Sequence, residues 1–258
     1  MRAKLLVGLL SLAFLASCGD AAKPSEDASI KFPTSSTFTL RYADFLDTTG
    51  TGRNYDSIGV VEERIVGSRQ VAGRTAFLHE NRLVASGGTS IDTTLHAYEN
   101  GNRDQWIYLA GIEDLVGNLG NFNLQGFSPG WYPYLKTSAE IGRNYAILAP
   151  TQLTLRLTDT LVINATVRAV GNVRGKETIT VQGRRYETTK LVLTFSLSAR
   201  LGGIALPDAE ILQHVWCANN IGVVKFETTS ATIGIPPFFA FRTPNSKQEL
   251  INVVGTPN

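Results

Sequence analysis

Three histidines are the first groups in this 258-residue sequence that could bind a metal or move a proton: His79, His96 and His214. Gly87-Gly88 predicts a two-residue hairpin turn, which would place His79 directly across from His96 with their β-carbons about 5 Å apart. A stable zinc site takes three or four ligands, and no His-x-His or Cys-x-x-Cys pair supplies the others. We therefore predict a polar, solvent-facing histidine pair and no metal site.

Two further segments have the spacing of known motifs. Residues 126–130 match G-x-S-x-G, but that motif needs a backbone N–H after the serine, and Pro129 has none. Residues 47–54 have the residue spacing of a calcium-binding loop. However, Ile58 occupies the position at which such a loop has its bidentate acid. We predict a turn at the first segment and a hairpin loop at the second.

These candidates leave no convincing catalytic set, so we expect a non-enzymatic protein without a cofactor. An enzyme would become the better interpretation if folding placed one of the histidines beside a buried carboxylate such as Glu80 or Asp92 in a cleft.

The chain begins with a segment typical of export. Residues 1–4 carry Arg2 and Lys4, and residues 5–16 form an apolar stretch too short to span a bilayer. The sequence Leu-Ala-Ser-Cys that ends at Cys18 resembles the lipobox of bacterial lipoproteins. The resemblance implies a signal peptide over residues 1–17 and acylation of Cys18 with palmitate-type chains. Several such chains, at about 0.8 kcal/mol per buried CH₂, form a firm membrane anchor.

The residues after Cys18 indicate in which membrane the protein is anchored. The usual sorting rule retains lipoproteins with aspartate after the cysteine at the inner membrane, and here Gly19 follows instead. We therefore expect an outer-membrane protein that faces the periplasm, with residues 18–36 as the lipidated cysteine and a flexible tether. Removal of residues 1–17 takes two of the 24 basic residues and none of the 22 acidic ones. The mature chain then has no net charge, which argues against nucleic acid as a partner.

The rest of the chain shows the alternation typical of strands. Apolar and polar residues alternate over residues 37–42, 154–158 and 190–195, with turn signals between such runs, among them Gly171-Asn172. Residues 112–120 could form a short helix. We predict a mainly β fold over residues 37–258: a large curved antiparallel sheet or half-open barrel, with at most one or two short helices.

The same domain could consist of two similar halves that meet near residues 117–133. The sequence Val-Ala-Gly-Arg at residues 71–74 is echoed by Val-Gln-Gly-Arg at residues 181–184. Four residues are weak evidence, and chance recurrence stays open as the alternative.

The C-terminal half carries the most recognisable pattern. A strand with Gly183, Tyr186 and Lys190 precedes a hairpin that runs from Trp216 to Lys225 as W-x-A-x-x-I-G-x-V-K. This pattern resembles outer-membrane lipoproteins of unknown function, similar to the lipoprotein-carrier (LolA/LolB) group. The resemblance implies a half-open β-barrel around an apolar cavity. Strand alternation places Trp216 and His214 on one face and Val215 and Cys217 on the other.

The anchor and the resemblance together predict an envelope lipoprotein that binds an apolar ligand or a protein partner on its curved sheet. The alternative is a structural or assembly component that acts through protein contacts alone. Residues 232–241 are apolar but contain two prolines, so they cannot form one central strand, and they could line a cavity mouth. From composition, the candidate ligand-lining residues are Trp106, Trp131, Tyr134, Phe195, Trp216, Phe238 and Phe239.

The anchor leads to a direct test. We expect the mature protein to begin at Cys18 and to carry acyl chains, so intact-mass spectrometry of the membrane fraction should give a mass above that of residues 18–258. Cys18→Ser should abolish that increment and release the protein from membranes, whereas Cys217→Ser should leave both unchanged. An unmodified mature N-terminus would contradict the anchor.

Overall fold

The computed structural model describes residues 30–47, 49, 51–111, 123–156, 162–201, 203–235 and 239–255. Within these residues the chain forms strands and connecting turns and no helix, which confirms the predicted β class. The described part has no helix long and apolar enough to cross a membrane. The predicted short helix at residues 112–120 lies outside the described residues.

The strands occupy most of the described chain. In order they are β1 (Thr39–Leu46), β2 (Asp56–Val71), β3 (Arg74–Ala85), β4 (Gly88–Glu99), β5 (Asp104–Leu109), β6 (Asn123–Gln125), β7 (Gly130–Lys136), β8 (Asn144–Arg156), β9 (Val162–Val181), β10 (Arg184–Leu201), β11 (Ile204–Ala205), β12 (Ala209–Ala218), β13 (Gly222–Thr228), β14 (Ala231–Ile235), β15 (Phe239–Thr243) and β16 (Ser246–Val254).

Two antiparallel meanders build one large sheet. The first runs β1-β2-β3-β4-β5-β7, and the second runs β6-β8-β9-β10-β12-β13-β16. They join where β1 pairs with β16, with Tyr42 opposite Leu250. The sheet curls into a nearly closed barrel, so one of its faces becomes an interior. The strands β14 and β15 form a separate hairpin.

The barrel closes at a seam between β7 and β8, and there a side chain replaces the backbone ladder. The Tyr145 hydroxyl on β8 donates to the Tyr134 carbonyl oxygen at 2.8 Å and accepts from the Lys136 N–H at 3.2 Å, both on β7. The Tyr145 ring lies over Gly171 of β9, where a β-carbon would overlap it. Glycine at residue 171 therefore makes room for the ring that bridges the seam.

This placement corrects two predictions from the sequence. Gly171-Asn172 is not a turn but lies inside β9, because the glycine serves a close approach and not a reversal of the chain. Within the stretch expected to be a loop between the two halves, Trp131 and Pro133 belong to β7.

The N-terminal segment (residues 30–38) lies across one end of the barrel. The Phe32 N–H donates to the Asn102 carbonyl in the β4–β5 turn, and the Asn220 N–H in the β12–β13 turn donates to the Lys31 carbonyl. The side chains of Ile30 and Phe32 are buried in the main core. The predicted tether is therefore wrong for residues 30–36, because these two apolar side chains find a core to enter; residues 19–29 lie outside the described part.

The main hydrophobic core lies inside the barrel and contains side chains from several strands. It includes Ile107, Leu109, Leu135, Ile147, Leu191, Leu193, Phe195, Ile211, Val215 and Cys217. A second cluster forms where β1, β12, β13 and β16 meet the β9–β10 hairpin; it includes Phe38, Leu40, Tyr42, Trp216, Val224 and Leu250.

The two echoed segments form turns of the same geometry. Ala72 and Gly73 connect β2 to β3 with φ of 46° and 80°, and Gln182 and Gly183 connect β9 to β10 with φ of 48° and 77°. Two consecutive residues with positive φ match the type I′ turn that suits the twist of a hairpin. The likeness of the two halves beyond these turns stays a prediction.

The seam leads to a stability test. Tyr145→Phe removes two hydrogen bonds, each worth about 0.5–1.5 kcal/mol, so the free energy of unfolding in urea should fall by about 1–3 kcal/mol. Tyr108→Phe is the matched control, because the Tyr108 ring packs edge-on against Trp131 and its hydroxyl has no hydrogen bond to the described residues. Equal losses for both variants would contradict the role of Tyr145.

Candidate functional site

A cavity of about 240 Å³ lies inside the barrel and has two different walls. Strands β1 to β5 supply a mostly polar wall of Tyr42, Glu63, Asn81, Thr94, His96, Gln105 and Ile107. The second wall, from β7, β12 and β13, is mostly apolar and consists of Tyr134, Leu135, Val215, Val223 and Phe226, with Gln248 of β16 beside it. This cavity is the candidate ligand site.

His79 and His96 come together on the inner face of β3 and β4, beside the cavity, in a different register from the prediction. Ala85 pairs with Gly88, so the turn is Ser86-Gly87, and His79 stands opposite Thr94 and not opposite His96. The imidazoles meet diagonally, with ring centroids 4.4 Å apart. When the turn moves by one residue along the chain, each residue of β3 pairs with a β4 residue two positions away from the predicted one. Because side chains alternate with a period of two, both rings stay on the same face of the sheet.

The predicted exposure of this pair is wrong. His79 is 5% exposed and His96 is 8% exposed. Alternation along one hairpin distinguishes the two faces, but it does not tell which face a barrel encloses. Here the closed sheet turns the histidine face inward.

A chain of hydrogen bonds passes through His79. The Gln105 side chain is hydrogen-bonded to the Tyr98 hydroxyl, which lies 2.9 Å from His79 Nε2. His79 Nδ1 lies 2.7 Å from Glu63 Oε1. A carboxylate only accepts, so Nδ1 carries a proton and donates it to Glu63. Burial raises the pKa of Tyr98, so its hydroxyl stays protonated.

His96 completes the cluster with only one of its nitrogens bonded. Its Nε2 lies 2.8 Å from the Thr94 hydroxyl, whereas its buried Nδ1 has no partner among the described residues. Burial, together with repulsion from His79, lowers the pKa of His96 well below its ordinary value of 6.5. His96 is therefore neutral at neutral pH.

Glu63 is the carboxylate that the sequence analysis missed. Of the two acids it named, Glu80 pairs with Arg64 at 2.7 Å, and Asp92 is exposed and accepts from the Thr93 N–H. A signal for Glu63 exists in β2, where it alternates in phase with Val61 and Ile65 on the face that becomes buried. A charged residue in an apolar alternation is the mark of a site inside a barrel.

The candidate ligand-lining residues separate into two groups. Tyr134 lines the cavity, with its hydroxyl 3.4 Å from Gln213 Oε1, and Phe195 is buried in the main core. Trp106 lies under the Arg74 guanidinium at 3.9 Å, and Trp131 donates to the Val71 carbonyl at 2.9 Å. Neither tryptophan lines the cavity, because both belong to the opposite face of the sheet.

Part of the apolar segment at residues 232–241 lies outside the described residues. Phe238 is outside the described residues, and Phe239 begins β15 with a side chain that is not described. Residues 231–235 and 239–243 pair as the β14–β15 hairpin, in agreement with the prediction that this stretch is not one central strand.

Trp216 explains the recognisable motif as a packing unit. The ammonium groups of Lys190 and Lys225 lie 4.7 and 5.0 Å from the centre of its ring, and its indole N–H donates to Glu177. Cation–π contacts of this kind contribute about 0.5–1 kcal/mol at exposed sites. The motif residues Trp216, Lys190 and Lys225 therefore hold β10, β12 and β13 together and do not line the cavity.

The remaining reactive residues of the sequence analysis have structural surroundings. His214 stacks on Trp216 at 6.1 Å, on the face that alternation predicted. Cys217 points into the core, and burial raises the pKa of its thiol, so it is an inert small hydrophobe. Cys18 is outside the described residues.

Both motif-like loops are loops, as predicted. Asp47 accepts from the Thr49 N–H at 2.9 Å and from the Asn245 side-chain amide at 2.9 Å, so its carboxylate fastens the β1–β2 connection. Ser128 lies exposed between β6 and β7, and its carbonyl accepts from the Tyr132 hydroxyl at 2.6 Å.

The buried histidine leads to a pH prediction. Below about pH 6.5 the unfolded chain protonates His96 while the folded protein does not, so the free energy of unfolding falls by up to about 1.4 kcal/mol per pH unit. His96→Gln should reduce this slope between pH 6.5 and 5, measured by urea denaturation. His214→Gln, at a partly exposed residue, should reduce it less; an unchanged slope in His96→Gln would contradict the assignment.

Comparison with known proteins yields a likeness of fold. No protein-family model matches the chain, and no curated protein matches its sequence. A protein of Parabacteroides distasonis, provisionally classed as a lipoprotein, is 9% identical with a TM-score of 0.49; the match covers 88% of this chain and 100% of that one. A provisionally classed exported protein of Bacteroides fragilis with a YmcC-like fold is 10% identical, with a TM-score of 0.50 and the same coverage. At this identity the second likeness establishes a shared fold, and the resemblance to the LolA/LolB group stays a prediction.

Proposed function

We propose that this protein is a lipid-anchored envelope protein that binds a compact amphipathic ligand inside its β-barrel and catalyses no reaction. The observation that carries the proposal is the interior cavity with one polar and one apolar wall. Such a lining suits a ligand with an apolar body and a small number of hydrogen-bonding groups.

The size of the cavity limits the ligand. Its volume of about 240 Å³ equals that of about eight water molecules. Sites for drug-sized ligands are larger, at about 300–1,000 Å³. A compact molecule therefore suits the cavity better than a whole acyl chain does, which narrows the apolar ligand expected from the sequence.

The proposed anchor suits the position of the N-terminal segment. Eleven residues separate Cys18 from Ile30, and their greatest extension is about 40 Å. The barrel end that residues 30–38 cover would then lie within that distance of the membrane. The name of the Bacteroides fragilis protein, an exported protein with the same fold, supports a location in the envelope, and we propose the outer membrane facing the periplasm.

The absence of catalysis is part of the proposal. The polar chain from Gln105 to Glu63 ends on a carboxylate and includes no nucleophile with an activated hydroxyl or thiol. Burial raises the pKa of both Tyr98 and Cys217, which disfavours their reactive anions.

The proposal is tested by filling the cavity. The full chain with Cys18→Ser, which cannot be acylated, is titrated with benzyl alcohol and observed by saturation-transfer NMR. Val223→Phe on the cavity wall should abolish the signal, and the milder Val223→Leu should weaken it. Val84→Phe is the matched control on an exposed position of β3, 43% accessible, and should bind as the parent does. Equal binding by all variants, or none by the parent, would overturn the proposal.

A further inference from the structure

We propose that the ligand of the interior cavity is an organic cation, an ammonium group on a compact apolar body, held against Glu63. This inference rests on the proposed function and specifies its ligand class. It follows from the accessible carboxylate oxygen on the cavity wall and from the aromatic rings around the same space.

One oxygen of Glu63 is already engaged by the protein. His79 Nδ1 donates to Glu63 Oε1 at 2.7 Å, and His79 Nε2 lies 2.9 Å from the Tyr98 hydroxyl. These contacts hold the carboxylate in place, and they leave its second oxygen to be accounted for.

The second oxygen of Glu63 is free to bind a ligand. The Tyr42 hydroxyl is 3.5 Å from Oε2 but only 2.9 Å from the Val223 carbonyl, so its proton belongs to the carbonyl. The Glu63 side chain keeps 25% of its accessible surface, and it lines the cavity. An acceptor with accessible surface therefore faces the space where the ligand would lie.

The cavity wall supplies no permanent cation. The residues that line this cavity include no lysine or arginine. The nearest arginines in sequence are engaged elsewhere, Arg64 with Glu80 at 2.7 Å and Arg41 with Glu62 at 3.0 Å. The accessible oxygen of Glu63 therefore has no lysine or arginine partner on this wall.

Aromatic rings complete the arrangement. Tyr42, Tyr134 and Phe226 line the same cavity as Glu63. The face of an aromatic ring attracts a cation, and the attraction grows when water is excluded. A carboxylate with three rings around one small space suits an ammonium group better than a neutral or anionic group of the same size.

Three probes of the same shape test the charge: benzylammonium, benzyl alcohol and benzoate, each titrated calorimetrically into the full chain with Cys18→Ser. We expect benzylammonium to bind at least about tenfold more tightly than benzyl alcohol, and benzoate not to bind. Glu63→Gln keeps an oxygen to accept from His79 and should remove the preference. Glu62→Gln, on the other face of β2, is the matched control and should retain it.

The outcomes separate this inference from the proposed function. Equal affinity for benzylammonium and benzyl alcohol in the parent would overturn the cation but keep the cavity as a ligand site. An equal loss in Glu62→Gln and Glu63→Gln would overturn the role of Glu63. If no probe binds, both proposals fail. Thermal melting of the two glutamine variants identifies a folding defect, and Glu63→Asp, which keeps the charge, should then retain the preference for benzylammonium.

Discussion

The pairing of β1 with β16 joins the two ends of the described chain, and the rest of the barrel depends on it. Within each meander most paired strands are close in sequence and pair at small entropic cost, although β13 and β16 are separated by the β14–β15 hairpin. Only the β1–β16 ladder, with Tyr42 opposite Leu250, turns two separate sheets into one. The seam at β7 and β8 completes the enclosure through Tyr145 and needs the space above Gly171.

Because the sheet curls into a nearly closed barrel, its outer and inner faces carry different kinds of side-chain contact. The outer face uses its aromatic residues for packing: Trp106 lies under Arg74, and Trp216 lies between Lys190 and Lys225. The inner face combines apolar side chains with a polar cluster in which Glu63 and His79 meet. The motif that is easiest to recognise in the sequence therefore reports on stability, while the local signature of the candidate site is limited to the alternation of Glu63 with Val61 and Ile65 in β2.

The polar wall belongs entirely to the first meander and its chemistry is cooperative. Gln105, Tyr98, His79 and Glu63 come from four different strands, and each satisfies the next. Such a chain fixes the orientation of the His79 ring and of the Glu63 carboxylate. The same closure leaves His96 Nδ1 without a partner among the described residues, which is a cost that a purely structural core would avoid.

The sequence by itself determined the β class, most of the turns and the alternation of His214, Trp216 and Cys217, because strand periodicity and turn chemistry are local. It did not determine which face is enclosed, so His79 and His96 were expected in solvent and Trp106 and Trp131 in a cavity. Glu63 was missed for the same reason, since its partners lie on other strands. Only the tertiary structure decides such matters, because the inside of a barrel is created by pairing residues that are far apart in the chain.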